Sequence, residues 1–92
     1  MDMKRMMQQA KAIQKQIDEK LTKFDETKFE YDYKNSIKIT IYGNLKVEKI
    51  EILDALIDKD DKIILQEMIA EAITEANQDL LSEREQISKS FN

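Results

Sequence analysis

The chain has 92 residues and a formal net charge of −4 at pH 7, and it contains no Cys, His, Pro or Trp and a single Gly. Without Cys and His, zinc, haem and iron–sulfur sites lose their usual ligands, and serine or cysteine nucleophiles lose their usual base. One glycine is too few for a phosphate-binding loop, and no apolar run is long enough for a membrane span or a signal peptide. We therefore expect a single cytoplasmic domain over residues 1–92 that is not an enzyme and uses no metal, cofactor, small-molecule substrate or membrane.

The first predicted element is a long helix over residues 1–24, with a basic outer face. Its apolar side chains recur at steps of three and four residues: Met3, Met6, Ala10, Ile13, Ile17, Leu21 and Phe24. Asp2 is the only acid among residues 1–16, where the basic side chains are Lys4, Arg5, Lys11 and Lys15. A helix of this length extends past a three-stranded sheet, so we expect its N-terminal half to project.

Residues 28–52 change to the two-residue alternation of strands and predict a three-stranded antiparallel meander. Lys34-Asn35 and Gly43-Asn44 are the predicted turns, and the second is the stronger signal because Gly and Asn tolerate a positive φ. Leu45 and Val47 continue the alternation, and a one-residue slip near Glu48-Lys49 predicts a β-bulge. The strand side chains expected in the core or at a dimer seam are Ile37, Ile39, Ile41 and Val47.

A short connection with a helical turn near Asp54 leads to a second long helix over residues 60–92. Asp60 or Asp61 is the expected cap of this helix. Its apolar stripe thins after about residue 82, where we expect the end of the helix to fray. The predicted fold is α+β with the order α-β-β-β-α and two long projecting helices. A chain this short favours dimerisation as a way to bury more apolar surface.

The order and spacing of four segments resemble the YbaB/EbfC family of bacterial nucleoid-associated proteins. Residues 6–15 are similar to its opening helix, residues 37–43 to a central strand that ends in a turn glycine, and residues 46–52 and 61–76 to the next strand and the final helix. The chain departs from the family pattern at Leu53, where Asp-Pro is usual, and at Thr74, where Asn is common. The resemblance implies a homodimer that binds double-stranded DNA in the nucleoid and influences gene expression.

Two surfaces are candidates for binding, and each has an alternative interpretation. The basic side chains of the first helix, Lys4, Arg5, Lys11 and Lys15, fit DNA phosphates, with Arg84 and Lys89 as secondary candidates; they equally fit a solvated helix face. An acidic ladder follows one face of the second helix and consists of Glu67, Glu71, Glu75, Asp79 and Glu83. This acidic ladder is either neutralised by Lys or Arg from elsewhere or used by a protein-interaction adaptor to dock a basic partner.

Overall fold

The structure is a computed structural model that describes residues 2–90; Met1, Phe91 and Asn92, which the predicted helices included, lie outside the described residues. The elements are α1 (Met3–Glu26), β1 (Lys28–Tyr33), β2 (Ile37–Tyr42), β3 (Val47–Ile52), two 3-10 turns (Asp54–Leu56 and Lys59–Asp61) and α2 (Lys62–Lys89). The strands form one antiparallel sheet in the order β1-β2-β3. The predicted α+β order is therefore confirmed.

The bulge predicted in the third strand is present at Glu48. Val47 pairs with Ile41 and Lys49 pairs with Thr40, so Glu48 is the extra residue on β3. An extra residue shifts the side-chain phase by one, and this shift keeps the apolar residues on both sides of the bulge directed to one face of the sheet.

The core lies between the central strand β2 and α2. Ile37, Ile39 and Ile41 are at most 1% exposed, and the small Ala72 and Ala76 are buried in the same cluster. Small side chains at these two helix positions allow the helix to approach the sheet closely. Val47 differs from the three isoleucines, because it lies on the edge strand and is 37% exposed. It is therefore outside the core of the single chain, and its place at a dimer seam stays a prediction.

The turn between β2 and β3 differs from its prediction. Neither Gly43 nor Asn44 has a positive φ; Leu45, which was expected to lie in the strand, has a φ of 74°. The loop contains three residues instead of two, because the Tyr42 amide donates to the Lys46 carbonyl at 2.9 Å and the Leu45 amide donates to the Tyr42 carbonyl at 2.8 Å. The first turn follows its prediction, with positive φ at both of its residues, Lys34 and Asn35.

Gly43 is explained by close packing against the end of α1 and not by its own backbone dihedral angles. A Cβ atom at Gly43 would overlap the carbonyl oxygen of Phe24. The Gly43 amide donates to the Thr27 carbonyl at 3.0 Å, and the Asn44 amide donates to the Asp25 carbonyl at 3.3 Å. The missing side chain therefore lets the β2–β3 turn bond directly to the chain that leaves α1.

α2 also differs from its prediction, because it stays helical to Lys89 instead of fraying after residue 82. Ile87 packs against the core cluster, and Arg84 forms an ion pair with Asp25 at the end of α1. These contacts with α1 stabilise the last turns, and the sparse apolar pattern of the sequence there does not reveal them. At the other end, Asp61 occupies the cap position, but its carboxylate makes no capping hydrogen bond.

Candidate nucleic-acid interface

The N-terminal half of α1 projects from the rest of the protein, as predicted. Every residue from Asp2 to Gln16 is exposed, whereas the buried residues of α1, Ile17 and Phe24, both lie in its second half. The described chain measures 71 × 17 × 16 Å, which reflects this extension. We call residues 2–16 the basic arm and residues 17–90 the body. At 1.5 Å per residue, the helical part of the arm is about 21 Å long.

The arm presents its cations on one side, and they form no ion pair among the described residues 2–90. Lys4, Lys11 and Lys15 fall within an arc of about 40° on the helix, and Arg5 lies beside them. None of these four side chains forms an ion pair within the described part of the chain, and all four are exposed. Asp2 is occupied as the N-cap, where its Oδ1 accepts a hydrogen bond from the Arg5 amide at 3.2 Å. The arm is therefore a cationic surface open to solvent.

Two lysines of the sheet behave differently from those of the arm. Lys28 Nζ lies 3.1 Å from Glu48 Oε1, and Lys49 Nζ lies 2.8 Å from Glu51 Oε1. These hydrogen bonds to carboxylates raise the pKa of Lys28 and of Lys49. Phosphate would have to compete with an existing carboxylate at both lysines, which makes Lys28 and Lys49 weaker phosphate sites than the lysines of the arm.

The two secondary candidates on α2 also have acidic partners. Arg84 joins the helices through Nε to Asp25 Oδ1 at 3.1 Å and Nη2 to Asp25 Oδ2 at 3.3 Å. The hydrogen bond to Asp25 raises the pKa of Arg84. Lys89 pairs with Glu85 at 2.8 Å across one helical turn, an exposed pair of a kind that contributes little to stability. A DNA contact at Arg84 or Lys89 stays a prediction, and at Arg84 it would require this link between the helices to open.

The acidic ladder faces tyrosine hydroxyls at two of its positions, which sequence reasoning missed. Tyr31 donates its hydroxyl proton to Glu75 Oε2 at 2.9 Å, and this bond raises the pKa of Tyr31 to about 12. A hydrogen bond to Glu71 raises the pKa of Tyr33, while the Lys34 ammonium lies 5.0 Å from the centre of the Tyr33 ring. Tyrosine hydroxyls on β1 therefore stabilise part of the negative charge of the acidic ladder by hydrogen bonding. The sequence had predicted Lys or Arg in this role.

The spacing of the two tyrosines offered a signal for this contact. Two residues along a strand cover about 6.6 Å, and four residues along a helix cover about 6 Å. The spacing of Tyr31 and Tyr33 on one face of β1 is therefore close to the spacing of Glu71 and Glu75 on one face of α2. The two pairs can meet when α2 runs in the direction opposite to β1. The sequence contains both spacings, but it does not show which strand passes beneath α2.

The residues that the structure describes add two further observations. Between Asp2 and Ser90, no group of three or more Asp or Glu side chains is arranged to hold a metal ion. Over the same range, no helix combines the length and the apolar character that a membrane crossing requires.

An α-β-β-β-α domain with a projecting basic arm, whose four cations form no ion pair among residues 2–90, has the features of a small scaffold for polyanion binding. The model of the YbaB/EbfC DNA-binding family matches residues 1–91, and the chain belongs to this family. The family resemblance noted in the sequence is thereby confirmed.

Several bacterial proteins are similar to the chain over nearly its whole length. A nucleoid-associated protein of Malacoplasma penetrans is 45% identical over 97% of this chain and 95% of its own length. An uncharacterised protein of Mycoplasma pneumoniae is 41% identical over 95% of this chain and 88% of its own. A nucleoid-associated protein of Ureaplasma urealyticum is 36% identical over 98% and 91%, respectively.

Proposed function

We propose that this protein is a nucleoid-associated protein of the bacterial cytoplasm that binds double-stranded DNA as a homodimer. It contacts the phosphate backbone with little sequence specificity and influences gene expression by occupying DNA, without catalysing a reaction. Membership of a DNA-binding family supports this proposal, as do relatives that are named nucleoid-associated proteins.

The observation that carries the proposal is the unpaired charge of the arm. Lys4, Lys11 and Lys15 extend over about 16 Å of helix, a distance over which duplex DNA presents many phosphates. Each lysine that neutralises a phosphate releases condensed counterions, so the affinity should fall steeply as the salt concentration rises. The exposed position of the arm allows this contact without any rearrangement of the body.

Low specificity follows from the kind of side chains on the arm. Lysine contacts phosphate as a point charge and carries no sequence information when it does so. Glutamine can read base edges, but the Gln14 side-chain amide already donates to Asp18 Oδ1 at 2.9 Å. The three aligned lysines are therefore better suited to the backbone than to a particular base sequence.

The proposal of a homodimer rests on apolar side chains that the single chain leaves in solvent. Among the described residues, eight large apolar residues are each more than half exposed: Met3, Met6, Met7, Leu53, Ile57, Ile63, Ile64 and Leu81. A second copy of the chain would bury part of this surface and would place two basic arms on one particle. Two arms on one duplex, or on two duplexes, give avidity and a means of bridging DNA.

The test is charge reversal on the arm against a matched reversal on the body. In the arm variant, Lys4→Glu, Lys11→Glu and Lys15→Glu are combined; the control combines Lys38→Glu, Lys46→Glu and Lys62→Glu, which are also exposed and have the same change in charge. We expect the arm variant to lose DNA affinity on the order of a hundredfold at low salt, because phosphate contacts dominate such binding. Removing the charge of one arm lysine with alanine should flatten the slope of log affinity against log salt by about one unit.

Titration into labelled duplexes of unrelated sequence, with far-UV circular dichroism as the check of folding, measures these effects. Equal losses in the two triple variants would show that the arm is not a special surface. Undiminished affinity in the arm variant would place the contact elsewhere, with Arg84→Ala and Lys89→Ala as the next variants. A parent protein that binds no duplex even at low salt would favour the adaptor that uses the acidic ladder.

A further inference from the structure

The C-terminal end of α1 is held from two sides at Asp25. The Asp25 carboxylate accepts two hydrogen bonds from the Arg84 guanidinium, with Nε 3.1 Å from Oδ1 and Nη2 3.3 Å from Oδ2. The Asp25 carbonyl oxygen accepts a hydrogen bond from the Asn44 amide at 3.3 Å. One residue of α1 is therefore tied both to α2 and to the β2–β3 turn.

This attachment lies at one end of a long helix. Residues 2–16 are exposed, whereas the buried residues of α1, Ile17 and Phe24, lie closer to the sheet along the chain. Phe24 also packs against Phe29, with 5.0 Å between the centres of the two rings. α1 is thus anchored over its second half, and the basic arm extends from this anchor as a lever.

A small rotation at the anchor would move the cations of the arm a long way. Lys4 and Asp25 belong to the same helix and are about 32 Å apart along its axis. A tilt of about 10° at Asp25 would displace Lys4 by about 5 Å, while each strand of duplex DNA presents one phosphate per about 3.4 Å of its axis. The direction of the arm therefore decides which phosphates its lysines reach together.

The contacts at the anchor differ in how strongly they constrain this direction. Apolar packing of Ile17 and Phe24 is non-directional and fixes little beyond proximity. A bidentate bond between a guanidinium and a carboxylate fixes the relative orientation of the two groups. The bonds from the β2–β3 turn by themselves would leave α1 a pivot, and the Arg84 guanidinium adds a second point of attachment from a different element.

We infer that the Asp25–Arg84 ion pair sets the direction in which the basic arm projects, and that both residues are positioning residues for DNA binding. This role rests on the proposed function and deepens it. Arg84 acts through Asp25, which differs from the direct DNA contact that the sequence suggested for Arg84. An arm whose direction is already fixed loses less conformational freedom on binding DNA than an arm that swings.

The positioning role and simple electrostatics predict opposite effects for Asp25→Ala. This variant removes an acidic group from a helix that binds a polyanion, so charge alone would tighten DNA binding. It would also release Arg84 to contact phosphate. Loss of the fixed arm direction weakens binding instead. Alanine favours the helical state more than aspartate does, so α1 should stay helical in the variant.

Distances between spin labels measure the direction of the arm in the absence of DNA. The chain contains no cysteine, so labels at the exposed positions of Gln8→Cys in the arm and Gln78→Cys on α2 report one distance. An excess of unlabelled protein keeps one labelled chain in each particle. In pulsed electron–electron double resonance, we expect Asp25→Ala to broaden the distance distribution at least twofold. The control Glu51→Ala breaks the Lys49–Glu51 ion pair within β3 and should leave the distribution unchanged.

Titration of the cysteine-free proteins into a labelled duplex gives the functional readout. Asp25→Ala and Glu51→Ala each remove one ion-paired carboxylate and raise the net charge of the chain by the same amount. We expect Asp25→Ala to weaken duplex binding about fivefold at low salt. Glu51→Ala should leave the affinity unchanged or raise it. Circular dichroism confirms that both variants are folded.

The outcomes separate this role from the proposed function. An unchanged distance distribution in Asp25→Ala overturns the inference, whatever the affinity of that variant. Duplex affinity equal to or above that of the parent also overturns it, because the ion pair would then not assist binding. A parent protein that binds no duplex contradicts the proposed function, while a broader distribution in Asp25→Ala would still assign the direction of the arm to the ion pair.

Discussion

The basic arm and the body use their side chains in opposite ways. The arm exposes all of its residues and leaves its four cations unpaired, whereas the body buries three isoleucines of β2 and pairs Lys28 and Lys49 with glutamates. A helix of about 14 residues is marginal by itself in water, so the arm depends on its continuity with the docked half of α1. The comparison teaches that stability and DNA binding should respond to different substitutions in this protein.

The largest difference in stability between the two regions should appear when an isoleucine in each region is replaced by aspartate. Ile39 is fully buried and Ile13 is 41% exposed. We expect Ile39→Asp to lower the free energy of unfolding by about 4 kcal/mol or more, because the carboxylate has no partner in the core. Ile13→Asp should change it by less than about 0.5 kcal/mol. Urea unfolding followed by circular dichroism measures both, and similar losses would contradict the division into arm and body.

A smaller effect should come from Gly43, which packs within the body against Phe24 near the C-terminal end of α1. In Gly43→Ala the new methyl group meets the Phe24 carbonyl, so the end of α1 must move away from the β2–β3 turn. We expect a loss of about 1–3 kcal/mol in the free energy of unfolding, the usual range for overpacking.

Asn44→Ala is the control for the same turn. It removes a hydrogen bond to the Lys46 amide without adding a clash, so we expect a loss of about 1 kcal/mol. If Gly43→Ala is as stable as the parent protein in urea, the close approach of α1 to the turn is not important for stability.

The smallest effect concerns pH and is confined to the body. Hydrogen bonding to Glu75 raises the pKa of Tyr31 from 10.0 to about 12, so the folded state holds this proton more tightly than the unfolded chain. The stabilisation is fully present below pH 10 and is lost as the pH rises towards 12. We expect the stability of the parent protein to fall more steeply than that of Tyr31→Phe over this range.

Comparison of these two proteins isolates Tyr31 from the lysines that titrate at similar pH. Tyrosinate absorbance near 295 nm gives an independent titration curve, in which Tyr31→Phe should lack a component with a pKa of about 12. Parallel stability curves for the two proteins would mean that the Tyr31–Glu75 hydrogen bond does not contribute to folding.

The sequence by itself determined the features that depend on neighbouring residues. The step of three and four residues predicted α1 and α2, and the alternation at β1 and β2 predicted the strands. The slip near Glu48 predicted the bulge, because the phase of a strand is a local property. The concentration of cations on the arm was also readable, because these side chains are exposed and form no ion pair with the rest of the described chain.

The tertiary structure alone decided the features that join residues far apart in the chain. Asp25 and Arg84 are 59 positions apart, and Tyr31 and Glu75 are 44 apart. Neither pair has a local pattern, so the sequence offered Arg84 only as a secondary DNA candidate without revealing its ion pair with Asp25. For the same reason it predicted that α2 would fray before its contact with α1. The sequence analysis explained Gly43 by its tolerance of a positive φ. The structure shows that glycine is needed there because a Cβ atom would overlap the carbonyl of Phe24. Side-chain periodicity reports which face of an element is apolar, and only the packed chain shows which group that face meets.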